Sequence, residues 1–99
     1  MRLKDKKAIV TGAGRGIGRA VAIAFAKEGA DLLINYHSND AAAKEVVAEI
    51  EKFGRKGITV KADVSNYREA AHMVGRALEE LGGVDILVNN AGISKPALL

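Results

Sequence analysis

Ninety-nine residues make one domain with a modest core, and a content of 48% hydrophobic and 27% charged residues is that of a globular chain. The net charge of +3 is mild and spread along the chain, and only four Phe and Tyr residues are present, so nucleic-acid binding is not expected. There is no cysteine, which removes disulfides and thiolate chemistry, and His37 and His72 lack ligand-like neighbours, so no metal site is expected.

The start, Met1 to Lys7, is charged, and the apolar segment after it is too short for a signal peptide. The longest apolar run, Ala20 to Ala26, falls well below a membrane span, so no membrane partner and a cytoplasmic location are expected. Lys7–Thr11 reads as the first strand. Gly16–Lys27 reads as a helix with Ile17, Ala20, Val21, Ala24 and Phe25 on its apolar face and Gly29 placed to end it. Asp31–Tyr36 is the second strand; its Leu32-Leu33-Ile34 is apolar without alternation, as a strand covered on both faces should be. Ser38 or Asn39 can cap a helix that runs to about Phe53 and stops at Gly54, with Val46, Val47, Ile50 and Phe53 inward.

Gly57–Ala62 is the third strand. Ser65 or Asn66 caps a third helix whose Ala70, Val74, Ala77, Leu78 and Leu81 follow the helical period, and Gly82-Gly83 closes it. Val84–Asn89 is the fourth strand. Strands alternating with helices imply right-handed crossovers and a parallel sheet with helices on both faces. The expected fold is α/β, a Rossmann-type doubly wound sheet, β-α-β-α-β-α-β in strand order 3-2-1-4, stopping before a fifth strand, with residues 1–99 as one domain. The outer edge of the fourth strand offers unpaired backbone beside Ile86-Leu87-Val88, and the apolar Ala97-Leu98-Leu99 follows, so self-association or a homo-oligomer is expected.

Thr11-Gly12-Ala13-Gly14-Arg15-Gly16-Ile17-Gly18 joins the first strand to the first helix. A strand that turns through glycines into a helix aims unpaired N–H groups and the positive end of the dipole at an anion. Glycines also let the backbone approach a pyrophosphate closely. The spacing is T-G-x-x-x-G-x-G, neither the strict G-x-G-x-x-G nor an ATP-type G-x-x-x-x-G-K-[ST]. In a sheet of order 3-2-1-4 this loop lies beside Asn89-Asn90-Ala91-Gly92, at the crevice where the winding reverses.

With this loop, the pair Asp63-Val64 and the run Asn89-Asn90-Ala91-Gly92 in order, the chain resembles the amino-terminal part of the classical short-chain dehydrogenase/reductase family. Asn35-Tyr36 and Gly92-Ile93-Ser94 look most like its 3-oxoacyl-carrier-protein reductase branch, which implies fatty acid biosynthesis. The resemblance implies a nicotinamide dinucleotide, with the pyrophosphate at Gly12, Gly14, Gly16, Ile17 and Gly18, and adenine at Asp63 and Val64. Asn89 would tie neighbouring strands, Asn90 would stand with it, and Ala91 and Gly92 would leave room for ribose and nicotinamide. NAD-preferring sites place a carboxylate at the end of the second strand, where this chain has Asn35-Tyr36-His37-Ser38. Arg15 matches the family position that grips a 2′-phosphate, with Tyr36 and Ser38 nearby, so NADP(H) is expected over NAD(H). The family's Y-x-x-x-K fails at both Tyr36 and Tyr67, since Asp40 and Ala71 hold the Lys positions. No catalytic residue is therefore assigned. Two readings follow: the cofactor-binding part of a carbonyl/alcohol oxidoreductase, inactive alone, or a binding or interaction module without chemistry.

Overall fold

The computed structural model describes residues 2–90. Ala91, Gly92 and the apolar Ala97–Leu99 stretch lie outside the described residues. The elements are β1 (Lys7–Val10), α1 (Gly16–Lys27), β2 (Asp31–Tyr36), α2 (Asp40–Lys52), β3 (Gly57–Lys61), α3 (Tyr67–Leu81) and β4 (Ile86–Val88). All strand pairs are parallel, in the order β3-β2-β1-β4, with Val10 facing Ile34 on one side and Val88 on the other. The doubly wound topology is as the alternation of strands and helices required.

The direction of winding sets the two cores. From β1 to β3 the chain steps one way across the sheet, and from β3 to β4 it steps back. Right-handed crossovers then put α1 and α2 on one face and α3 on the other. One core joins Ala8, Val10, Leu32 and Ile34 to Ala22, Ala26, Val46 and Ile50. The other joins Ile9, Leu33 and Val60 to Met73, Ala77 and Leu81. Neighbouring strand residues thus feed opposite cores, which is why Leu32-Leu33-Ile34 shows no polar alternation.

Several expected helix faces are corrected. The buried residues of α1 are Gly18, Ala22 and Ala26, whereas Ala20 and Ala24 are exposed and Ile17 is 76% exposed. A stripe of small residues lets α1 sit close against the sheet, and the bulkier Val21 and Phe25 pack half-buried at its flanks. On α2 the inward residues are Ala43, Val46 and Ile50, while Phe53 lies past the last turn and is exposed beneath the Lys27 ammonium, 5.8 Å from its ring centre. On α3 they are Met73, Ala77 and Leu81, with Val74 and Leu78 exposed. β4 is shorter than expected, because Val84 and Asp85 precede its pairing with β1 and Asn89 follows it. β1 and β3 likewise stop one residue early, at Val10 and Lys61.

At the amino ends of β1 and β2, Asp31 is buried among cations. Its carboxylate accepts from Lys7 Nζ at 2.6 Å, Arg55 Nε at 3.1 Å and the Lys56 N–H at 3.0 Å. Burial by itself would raise this carboxyl, but the Lys7 and Lys56 hydrogen bonds and the Arg55 and Lys7 charges outweigh it and hold the group below the usual carboxylate range.

Candidate functional site

The carboxyl ends of the strands meet in one junction. Thr11 N–H donates to Val88 O at 3.0 Å, and Asn90 N–H donates to Thr11 Oγ1 at 2.8 Å. Asn90 Nδ2 donates to Gly12 O at 3.2 Å. The Thr11 hydroxyl lies 3.3 Å from Val88 O and 3.4 Å from Asn89 Oδ1, so Asn89 reaches across only by the longest of these contacts. Gly18 completes the junction from α1. A Cβ there would stand 2.5 Å from Gly12 O and 2.9 Å from Asn90 Nδ2. Only glycine allows the helix this close.

The helix N-termini differ. Asn39 caps α2 by accepting from Ala42 N–H, and Asn66 caps α3 by accepting from Glu69 N–H; each has an acid in its first turn. On α1 the cap position is Arg15, its side chain makes no capping bond, and the first turn holds no acid. Among the described residues no side chain compensates its N–H groups and dipole. Gly16, at φ +60°, turns the loop into this helix, and its Cβ direction is open, with nothing within 4 Å.

Two clefts and a recess surround the junction. The first cleft, about 390 Å³, is lined by Gly12, Gly14, Arg15, Tyr36, His37, Ser38, Asn39, Ala42 and Asn90. The recess, about 260 Å³, is lined by Gly12, Asn35, His37, Ala62, Asp63 and Val64. The second cleft, about 510 Å³, lies on the α3 side and includes Thr11, Asp63, Val64, Met73, Leu87 and Asn89. The structure therefore brings together Gly12, Gly14, Arg15, Tyr36, Ser38 and Asn90, and next to them Asp63 and Val64. Gly16 and Ile17 stand at the start of α1 and line neither of these clefts, Gly18 is buried on the sheet-facing side of that helix, and Asn89 faces the α3 side.

Asp63 Oδ1 accepts from Ser65 Oγ at 2.6 Å and from Ser65 N–H at 3.0 Å. These bonds, with the nearby His37, hold its carboxyl below the usual range against a small opposing effect of burial. Asp63 does not cap α3; Asn66 does, and Glu69 reaches back to the Asp63 N–H at 3.0 Å. The Tyr36 phenol is held above its ordinary value by its hydrogen bond to Asp40, so it remains protonated at neutral pH.

Two residues escaped the sequence reading. Thr11 was read as a strand end and as the first residue of the glycine motif, without a role for its hydroxyl, which proves to bind the exit of β4. Asn35 was read with Tyr36 as part of the family resemblance and as the lack of a carboxylate, without a role for its own side chain. It is 1% exposed and accepts from Gly12 N–H at 3.1 Å while donating to Val60 O and Ala62 O. An amide at the end of a fully apolar run was the available signal, since such a group must find partners when buried.

Residues 6–98 match the family model for short chain dehydrogenase. The chain is 50% identical over 91 residues to L-rhamnose 1-dehydrogenase (NAD(P)(+)) of Sphingomonas sp. (strain SKA58), covering 92% of this chain and 36% of that protein. It is 47% identical over 90 residues to hydroxynaphthalene reductase-like protein Arp2 of Metarhizium acridum (strain CQMa 102), covering 91% of this chain and 34% of the relative. A crystal structure of a short chain dehydrogenase from Burkholderia cenocepacia J2315 in complex with NADP matches with a TM-score of 0.91 at 45% identity, over 100% of this chain and 40% of that one. The chain thus spans between a third and two fifths of the length of these relatives. It belongs to the short-chain dehydrogenase family of oxidoreductases.

Proposed function

We propose that this chain is the NADP(H)-binding part of an oxidoreductase that moves hydride between a nicotinamide and a carbonyl or alcohol carbon. The observation that carries this is the bare N-terminus of α1, opening beside a cleft that gathers Arg15, Tyr36 and Ser38. Anions bind where first-turn N–H groups lack protein acceptors, and a second, dianionic phosphate needs a cation close by. In this reading the amides from Gly14 to Ile17 hold the pyrophosphate, with Gly16 presenting no side chain to it. Arg15 and Ser38 meet the 2′-phosphate. Asp63, ionised, accepts from the adenine amino group beside the Val64 backbone. Asn90, with Ala91 and Gly92 after it, faces the ribose and nicotinamide side. A bound nicotinamide supplies or accepts the hydride.

The 99 residues contain no Tyr with a Lys four positions later, so cofactor binding is proposed for this chain and hydride transfer for the complete family domain, with the chain inactive alone. Within that class, 3-oxoacyl thioesters rest on the wording at Asn35-Tyr36 and Gly92-Ile93-Ser94. Relatives named for a sugar and for hydroxynaphthalene align over the same span, so carbonyl/alcohol chemistry is the firmer statement.

Calorimetric titration with NADPH and NADH tests the reading. NADPH should bind more tightly, and Arg15→Ala should weaken it about 10- to 100-fold through loss of a charged hydrogen bond, leaving NADH nearly unchanged. Equal affinity of the parent chain for both overturns the preference. Absence of binding to either overturns the proposal.

A further inference from the structure

We propose that Asn35 is a positioning residue for the cofactor: it removes the Gly12 and Ala13 amides of the glycine loop from the anion cradle and locks that loop to the wall formed by the end of β3. The inference rests on the cofactor-binding reading above.

Asn35 engages two consecutive loop amides. Gly12 N–H donates to its side-chain Oδ1 at 3.1 Å, and Ala13 N–H donates to its main-chain O at 2.9 Å. The amide before them, on Thr11, already donates to Val88 O. The next recorded backbone donation along the loop is from Arg19 N–H to Arg15 O. Among the described residues an arriving anion is therefore left the amides from Gly14 to Gly18, of which Gly18 is buried on the sheet-facing side of α1. The cradle begins two residues later than the glycine pattern suggests, and it coincides with Arg15.

On its other side the same carboxamide donates through Nδ2 to Ala62 O at 3.1 Å and Val60 O at 3.3 Å. One rigid planar group thus spans from the phosphate loop to the residue preceding Asp63, across the recess that both line. Its orientation is forced, because a flipped amide would set its NH₂ against the Gly12 N–H and its oxygen against two carbonyls. Aspartate lacks the donors. Leucine would leave the Gly12 N–H and the Ala62 carbonyl without the partner Asn35 supplies, and would take from Val60 O its second donor, beside the Tyr36 N–H of the β2–β3 ladder. Asparagine meets all three demands, and so fixes the spacing between pyrophosphate and adenine without touching either.

Two measurements test this. In the parent chain, amide hydrogen exchange by NMR should show Gly12 and Ala13 protected both free and with NADPH, while the amide resonances of Gly14 to Ile17 move on titration. Rapid exchange at Gly12 and Ala13 that slows only when NADPH binds overturns the inference. The second uses Asn35→Asp. A protonated acid can accept from Gly12 N–H and donate to Ala62 O; an ionised one cannot donate. Burial between carbonyls and the nearby Asp63 raise this carboxyl and His37 opposes them, so the variant should titrate within the range where the chain is folded. The ratio of variant to parent Kd for NADPH should be near one at about pH 5 and rise to about 10- to 100-fold at about pH 8. Thermal melts should show both chains folded at each pH. A ratio that stays flat while the parent binds overturns this inference alone. A parent that does not bind NADPH removes the cofactor reading and this inference with it. If the variant does not fold, the exchange measurement decides by itself.

Discussion

Gly16 and Gly18 look equivalent in the sequence, and the structure gives them different work. A Cβ at Gly18 collides with Gly12 O and Asn90 Nδ2, atoms of the junction itself. A Cβ at Gly16 meets nothing, but the φ of +60° is one that L-residues adopt at a cost. Gly18→Ala should therefore destabilise by about 1–3 kcal/mol, the range for overpacking, and should loosen the Thr11–Asn90 contact. Gly16→Ala should cost about 1–2 kcal/mol and weaken NADPH binding in a chain that still folds. Urea unfolding with parallel titration separates the two, and a Gly18 variant as stable as the parent chain would refute the assignment. Asp31 makes a second residue-level case, through pH. Its folded-state carboxyl lies below the unfolded value, so the stability it contributes is complete above the ordinary Asp range and is lost as pH falls through the depressed value. Asp31→Asn should lose about 1–3 kcal/mol at neutral pH, since Lys7 loses its carboxylate partner and Arg55 keeps only the more exposed Asp5. It should also show a shallower acid limb in a plot of unfolding free energy against pH. An acid limb as steep as the parent's would place the sensitivity elsewhere.

At the scale of elements, the sequence carried the identity of every strand and helix and the strand order, because apolar runs, caps and closing glycines are local signals. Asn66 and Asn39 were each one of two proposed caps, and Gly29, Gly54 and Gly82 all sit at positive φ just beyond their helices. The buried faces were less legible. Helical spacing cannot distinguish the large residues Ile17, Val74 and Leu78 from the small stripe of Gly18, Ala22 and Ala26, since depth depends on how closely the helix approaches the sheet. In the candidate site, the glycine loop and Asp63-Val64 could be read from motifs. The bonding roles of Asn35 and Thr11 could not, because they are hydrogen bonds between segments distant in the chain. The caps allow a direct contrast. Asn39→Ala and Asn66→Ala should each cost about 1 kcal/mol in denaturant unfolding, whereas Arg15→Ala, which removes no capping bond, should change stability by less than about 0.5 kcal/mol. A large loss of stability at Arg15 would mean that α1 is not held open for a ligand.

At the scale of the molecule, the reversal of winding leaves the two faces unequal. α1 and α2 share one face of the sheet, and α3 alone covers the other. On the α3 face Leu87 is 59% and Leu78 55% exposed, and Leu87 borders the cleft of about 510 Å³ together with Val74 and Met73. Beyond β4 the described residues contain no further strand, so its outer backbone edge is unpaired by this sheet. Right-handed crossover requires that any strand added beyond β4 bring its helix over the same face as α3. The relatives have more than half their length left to do so. An apolar face next to an open edge is the combination that natural sheets avoid leaving in water. The 99-residue chain by itself should therefore self-associate, with β4 and the Leu78–Leu87 surface as the contact. Light scattering across a concentration series should show mass rising above the monomer. Leu87→Lys should shift the onset to higher concentration, because a charge on this face must be desolvated when copies meet, while the β1 and β2 pairing stays intact. Amide exchange adds the location: β4 should exchange faster than β1 in dilute solution and become protected as the mass rises. A chain that stays monomeric to its solubility limit, with β4 as protected as β1, would show that this edge is already covered.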